Sequence, residues 1–423
     1  MADGITHDSE ILAREVVARC QTLSRLSEDR ESICRTFLSP PMRDVHREIS
    51  GWAAACGATS TLDAAGNIRL LYPALDSDAP RFLIGSHLDT VPNAGAYDGV
   101  LGVVLGIALL SGLRGRRLPF AIEVIGFSEE EGIRFRRPFI GSRALAGTLD
   151  DKLLGEQDSA GVSIRQAIQN YGLHADEIAD AAIGEDVFGF LEFHIEQGPV
   201  LDKVGQPLGI VESIVGQSRL EFTFVGQSNH AGTTPMESRY DALAAAAEWI
   251  FAVEQKAVRT SGLVATVGAI LAKPCATNVI AGETRVSLDL RHRDDETRKS
   301  AVEYFIQRAE DIITRRGLKL IWCVGLDQPA VLMSLSLLHE VEQAFRKADL
   351  TPFRMASGAG HDAMILAEKV PSAMIFLRTP GGISHDPAET VELGDVAKAI
   401  ECGLHLLERF TSSSEFMGKR KNA

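Results

Sequence analysis

Apolar and polar positions repeat at two periods along this chain, and each change of period marks an element. Ser9 to Glu28 and Pro41 to Cys56 carry apolar residues at helical spacing (Ile11, Leu12, Val16, Val17, then Val45, Ile49, Trp52, Ala53), which predicts two helices, each packing one face on a core. Asp63 to Asn67 reads as a turn and Ile68 to Tyr72 as a strand. Arg81 to Ser86 is a short apolar strand after Pro80, Val100 to Leu113 an apolar stretch long enough for a buried helix, and Phe120 to Phe127 a further extended run. Strand, helix, strand in that order is the signature of a parallel crossover, whose ligands bind beyond the carboxyl ends of the strands. Gly189 to Phe193 and Ala373 to Leu377 predict two more strands of the same kind.

Between those last two runs the pattern changes. Arg219 to Val225, Leu263 to Leu271, Thr284 to Leu290 and Leu318 to Val324 read as strands, Ser238 to Gln255 and Asp295 to Arg316 as helices. The order βαββαβ is a complete ferredoxin-like unit. The predicted fold is therefore α/β: a mixed, mostly parallel sheet domain of residues 1–211 and 329–423, with an inserted α+β domain of residues 212–328. A chain of 423 residues is long enough for two cores.

Chemistry gathers where the predicted parallel strands end. His87 and Asp89 follow the first strand in Gly85-Ser86-His87-Leu88-Asp89-Thr90, and at a period of two they project to one side, so the carboxylate can turn the imidazole or share its target. Asp98, in Tyr97-Asp98-Gly99, lies just ahead of the apolar helix. Glu129-Glu130-Glu131 follows the next strand, His194 the third, and His385 lies shortly beyond the fourth. Imidazole and carboxylate donors suit a hard or borderline divalent metal. Adjacent carboxylates leaving a strand point in different directions, so one can bind metal while its neighbour faces an attacking water.

Composition narrows the field. A formal charge of -14 disfavours a nucleic-acid partner, and the one basic run, Lys419-Arg420-Lys421, reads as a solvated tail. Six scattered cysteines without a CxxC pair argue against a disulfide framework and a thiolate zinc site, and fit a reducing cytoplasm. The amino terminus has no basic region followed by an apolar one, and Val100 to Leu110 is too short to span a bilayer, so neither a signal peptide nor a membrane partner is expected.

Taken together, the ordered stretches resemble the amidohydrolase branch of the dinuclear M20 metallopeptidase family, which contains allantoate amidohydrolases and N-carbamoyl-L-amino-acid hydrolases. The resemblance covers almost the whole chain. It rests on the motifs around His87 and Glu131, on Gly141-Ser142-Arg143-Ala144-Leu145-Ala146-Gly147, Phe193-His194-Ile195-Glu196-Gln197-Gly198-Pro199, Asn229-His230-Ala231-Gly232-Thr233-Thr234-Pro235-Met236, Ser357-Gly358-Ala359-Gly360-His361-Asp362-Ala363 and Ser384-His385-Asp386-Pro387. It implies two divalent ions per subunit, Mn(II) before Zn(II), Co(II) or Ni(II), one held by His87, Asp98 and His194 and the other by Glu131, His385 and the shared Asp98. Glu130 then aligns with the general base, Asp89 beside His87 is counted as a further catalytic residue that turns the imidazole, and Glu129 is discounted as a ligand, though its charge should raise the Glu130 pKa.

The resemblance further implies that the inserted domain serves as a lid and dimerises, with His230 and Asn278 reaching the neighbouring subunit's site and His230 stabilising the transition state. Arg291 matches the family's carboxylate-binding arginine, and Gly360 a backbone contact to the same end of the substrate. Gln217 resembles the glutamine of allantoate and ureidoglycolate enzymes, where an amide can bond a second ureido group. Allantoate is accordingly the expected substrate, with an N-carbamoyl-L-amino acid, ureidoglycolate or N-carbamoyl-β-alanine as alternatives. A dinucleotide-binding oxidoreductase, suggested by Gly358-Ala359-Gly360-His361-Asp362-Ala363, is disfavoured because Phe353 to Ala356 is a poor strand and no acid follows at the required distance. A metal-binding scaffold without catalysis would not need Glu130.

Overall fold

The computed structural model describes residues 2–412. The basic run at 419–421 lies outside the described residues. The described residues divide into two compact units, 2–212 with 333–355 and 361–412, and 213–332 with 356–360.

In the first unit the strands are β1 (Thr59–Leu62), β2 (Ile68–Tyr72), β3 (Arg81–His87), β4 (Ala121–Phe127), β5 (Val187–Ile195) and β6 (Leu208–Ile214). The second unit contributes β7 (Gly216–Val225), β8 (Val264–Thr266), β9 (Ile270–Lys273), β10 (Glu283–His292) and β11 (Lys319–Gln328). Then come β12 (Val331–Leu332), β13 (Arg354–Ser357) and β14 (Ser372–Leu377).

The first sheet runs β1-β2-β4-β3-β5-β14-β6-β12, with β13 also on β6. Its centre, β4-β3-β5-β14, is parallel throughout, and antiparallel partners flank it on both sides. Every residue of β4, β5 and β14 is buried, and all of β3 but Arg81, because both faces of the sheet are covered. Unbroken apolar runs are what such strands require. The helix Val100–Gly112 is buried from Val100 to Leu110 and packs on β3, β5 and β4, which explains an apolar run without a polar stripe.

Several boundaries differ from the sequence reading. The first helix spans Ala2–Ser24, and the second is Met42–Ala55. His87 is the last residue of β3 and His194 the last but one of β5, so both donors sit within strands. The stretch at 353–356 is a strand after all, since Arg354–Ser357 pairs with β6. A neighbouring strand compensates for its weak apolar pattern.

In the second unit the sheet order is β11-β7-β10-β8, with β9 also on β10. The run at 263–271 breaks into two short strands that pair with different parts of β10, rather than one. The helices Ala242–Arg259 and Asp295–Arg316 pack their apolar sides on this sheet around Trp249, Phe222, Phe224 and Phe305. The first of them starts four residues later than its apolar pattern suggests, because Asp241 caps it by accepting from the Ala244 N–H. All six cysteines are free. Among the described residues no helix is long and apolar enough to cross a membrane.

Candidate metal centre

The four parallel strands deliver their polar residues to one end of the sheet. His87 Nε2 lies 3.3 Å from His194 Nε2 and 3.4 Å from Asp98 Oδ1, and His194 Nε2 lies 3.2 Å from the same oxygen. On the other side of Asp98, its Oδ2 is 3.3 Å from His385 Nε2, which is 3.4 Å from Glu131 Oε1. Asp98 thus belongs to two donor groups, His87-Asp98-His194 and Asp98-Glu131-His385.

Backbone carbonyls set the tautomers. His87 Nδ1 faces the Asp89 carbonyl at 3.1 Å and His194 Nδ1 the Ile195 carbonyl at 2.9 Å. Each Nδ1 therefore carries the hydrogen, and each Nε2 turns a lone pair toward Asp98. Asp98 Oδ1 is buried without a hydrogen-bond partner. Three acceptors facing one point repel one another unless a cation lies among them. Their spacing fits one, because two ligands about 2.1 Å from an ion in tetrahedral arrangement stand about 3.4 Å apart.

A proton on these rings would meet the same demand for positive charge, and the electrostatics of the groups favours one. Burial works against ionisation of Asp98, yet His194, His385 and His87 hold its carboxyl well below the usual range. Burial likewise opposes protonation of His87, but Asp89, Asp98 and Glu130 outweigh it and raise the imidazole well above its ordinary value. Asp98 and Glu131 raise His385 to about 10.

Asp89 holds the acid run in place. Its two carboxylate oxygens accept the backbone N–H groups of Glu130 and Glu131, both at 3.0 Å, while Oδ1 stands 3.5 Å from His87 Nδ1. Glu130 is buried beside His87 and Glu131. Burial raises its carboxyl well above the usual range; His87 opposes this, while Glu131, Asp362 and Asp89 add to it. The Glu129 carboxylate accepts the Arg134 N–H.

Glycine fits the loop before the apolar helix for a steric reason. Gly99 has φ +66°, and a Cβ there would lie 2.4 Å from the His87 ring. Two other loop residues at the centre, Gln197 and His385, hold φ +57° without being glycine, a conformation that persists only where surroundings enforce it.

Some neighbours of the centre escaped the sequence reading. Gln197 Nε2 donates to Asp98 Oδ2 at 2.7 Å, His361 stacks edge-on against His194, and buried Glu192 accepts from Ser86 Oγ and the Ala363 N–H. Ser384 and Glu389 also contact Asp98. Gln197, His361 and Ser384 stand inside motifs already singled out, so their positions carried a signal; Glu192 and Glu389 carried none.

The remaining expected site residues lie in the second unit. Arg291 on β10 is the direct partner of Gln217 on β7, so their side chains share a sheet face. The Arg291 guanidinium donates to both oxygens of Asp289, at 2.8 and 3.1 Å, and to the Gly358 carbonyl at 2.7 Å. Gln217 Nε2 donates to Gln328. His230 is bridged to Val279 and exposed, and the Ala231 N–H donates to the Asn278 carbonyl, which brings His230 and Asn278 together. His230 Nδ1 accepts the N–H groups of Gly232 and Thr233, at 3.1 and 3.2 Å, so its hydrogen is on Nε2. Gly360 closes the short segment 356–360 of this unit.

Residues 83–409 match peptidase family M20/M25/M40, and the chain belongs to that family. Within it, the chain falls in the branch of allantoate deiminases and N-carbamoyl-L-amino-acid amidohydrolases. It is 37% identical to the allantoate deiminase of Arabidopsis thaliana over 96% of this chain and 84% of that one. It is 40% identical to an N-carbamoyl-L-amino acid amidohydrolase of Geobacillus stearothermophilus, over 81% of this chain and 85% of the other. Among solved structures, an amidase of the hydantoinase/carbamoylase family from Burkholderia multivorans superposes with a TM-score of 0.89 at 28% identity, covering 95% of this chain and 98% of that one.

Proposed function

We propose that this protein hydrolyses a ureido C–N bond of allantoate at a centre that takes two divalent ions. The observation that carries this reading is the pair of donor groups sharing Asp98 beside the buried Glu130. His87, Asp98 and His194 would hold one ion and Asp98, Glu131 and His385 the other. The nitrogen and oxygen donors, with no thiolate, suit Mn(II), and also Zn(II), Co(II) or Ni(II). Ions bound there supply Lewis acidity, polarising the ureido carbonyl and making a water nucleophilic at neutral pH.

The chain's own residues do the proton work. Glu130 accepts the proton of the attacking water and returns it to the leaving nitrogen. Asp89 keeps Glu130 in register by holding its backbone N–H. His230, with its hydrogen on Nε2, donates to the oxygen on which charge builds, and Asn278 assists from the adjoining strand turn. The ureido carbon gains the water oxygen, its bond to the substrate nitrogen breaks, and carbamate departs to give ammonia and carbon dioxide, leaving ureidoglycine.

Substrate choice rests on the register between β7 and β10. Arg291 pairs with the substrate carboxylate, which Gly360 also meets through its backbone, and Gln217 directly opposite stands about 5 Å away, within reach of a group one or two bonds from that carboxylate. In allantoate that group is the second ureido. An N-carbamoyl-L-amino acid presents an alkyl or aromatic side chain there instead and forgoes the hydrogen bond to Gln217, at a cost of about 1 to 3 kcal/mol. The second unit is read as an inserted lid and dimerisation domain: its edge strand β11 leaves Ile321, Trp322 and Val324 exposed, which suits pairing with a second copy. A reducing, cytoplasmic location accords with six free cysteines.

The test is ammonia release with Mn(II) from allantoate, ureidoglycolate, N-carbamoyl-β-alanine and N-carbamoyl-L-methionine. The expected result is the highest kcat/KM for allantoate, by roughly tenfold to hundredfold over the methionine derivative. A higher value for the methionine derivative would make the protein an N-carbamoyl-L-amino-acid hydrolase.

A further inference from the structure

Glu389 is buried and 292 residues removed from Tyr97 in sequence, yet it meets the centre from behind. Its Oε1 accepts the backbone N–H of Tyr97 at 2.9 Å and of Asp98 at 3.1 Å. Its Oε2 lies 3.2 Å from the hydroxyl of Ser384, which is also 2.9 Å from Asp98 Oδ2. One carboxylate therefore joins the loop that carries Asp98 to the loop that carries His385. The fit is close on the other side as well: a Cβ on Gly95 would come within 2.4 Å of the Glu389 side chain. Glu389 is itself fixed through its own N–H, which donates to the Asp386 carbonyl.

The two donor groups depend on this link unequally. His87 and His194 stand at the ends of β3 and β5, whose ladders hold them whatever the loops do. Asp98 and His385 stand on loops, and His385 carries a positive φ that its surroundings must enforce. If the link is cut, the group Asp98-Glu131-His385 loses the registry of two of its three members. The group His87-Asp98-His194 loses that of one.

We infer that Glu389 is a positioning residue that clamps the Asp98 loop to the His385 loop and thereby sets the affinity for the second ion, the one taken by Asp98, Glu131 and His385. This rests on the two-ion reading above. What the clamp requires is an acceptor for two N–H groups, which an amide oxygen also supplies, so Glu389→Gln should preserve it and Glu389→Ala should not. Ser384→Ala removes only the hydroxyl that joins the two carboxylates.

The experiment is Mn(II) binding to the full-length protein, stripped by chelator and followed by calorimetry, with bound metal counted after gel filtration. Wild type should bind two ions per chain. Glu389→Ala should keep one near wild-type affinity and bind the other about 10- to 100-fold more weakly. Glu389→Gln should stay close to wild type, and Ser384→Ala should fall between. Should Glu389→Ala fail to fold, Ser384→Ala still decides, because loss of one hydroxyl leaves the core untouched. Two ions at wild-type affinity in both Glu389→Ala and Ser384→Ala, or equal weakening of both ions, would overturn the clamp while leaving the two-ion centre standing. Wild type binding fewer than two ions would overturn the two-ion reading and the clamp with it.

Discussion

At the scale of single residues, the acid run Glu129-Glu130-Glu131 divides into three jobs. Glu129 is turned back toward its own loop by the Arg134 N–H, Glu131 faces His385, and Glu130 is buried beside His87. Glu130→Gln keeps shape but cannot take a proton, so turnover should fall about 10²- to 10⁴-fold while bound metal, counted by elemental analysis, stays at wild-type level. Glu131→Gln should instead lower the metal count. An inactive Glu129→Gln beside an active Glu130→Gln would shift the assignment by one position. The proposed ligands were legible in sequence because each stands in a motif, at or beyond the end of a strand or, for Asp98, just ahead of the buried helix. Glu389 was not, since what makes it matter is a fold that returns residue 389 to residues 97 and 98, and sequence neighbours carry no trace of that. Nor could the sequence tell that Asp89 would spend both oxygens on the backbone of the acid run while remaining beside the His87 ring.

At the scale of elements, strong apolar runs gave the parallel strands and the buried helix to within a few residues. Weak runs failed where a partner strand supplies what the sequence lacks: Arg354–Ser357 pairs with β6, and 263–271 splits because β10 accepts it in two pieces. The helix Met42–Ala55 carries a consequence for stability. Its His46 is buried against Tyr171, whose hydroxyl lies 3.3 Å from Nδ1, and Nε2 has no hydrogen-bond partner. Burial, with the Arg43 charge adding to it, lowers this imidazole from 6.5 to about 4. The unfolded chain therefore takes up the proton first as pH falls, and stability present above about pH 6.5 is lost progressively toward pH 4, by about 3 kcal/mol from this group. Urea unfolding of wild type and His46→Gln at pH 7 and pH 4.5 checks it: the variant should lose distinctly less stability over that interval. Equal losses in the two proteins would show that His46 does not titrate in this range.

At the scale of the whole molecule, the proposed site residues are divided between the two units. The donor groups, Glu130 and Asp89 belong to the first, and Gln217, His230, Asn278, Arg291 and Gly360 to the second. That division makes the proposed dimer a functional matter, because a histidine carried by the second unit can serve the site of another copy. If it does, a chain bearing His230→Ala still offers a sound Glu130, and a chain bearing Glu130→Gln still offers a sound His230. Mixed dimers of these two inactive variants then contain one complete site and one doubly defective site. With random pairing, half of the dimers are mixed and half of their sites complete, so about a quarter of wild-type activity should return. Co-expression with two different affinity tags isolates the mixed dimer itself, which should then show about half of wild-type activity per dimer. A verified mixed dimer without activity would mean that His230 serves the site of its own chain, and a monomer by sedimentation would remove the free edge of β11 as a pairing surface.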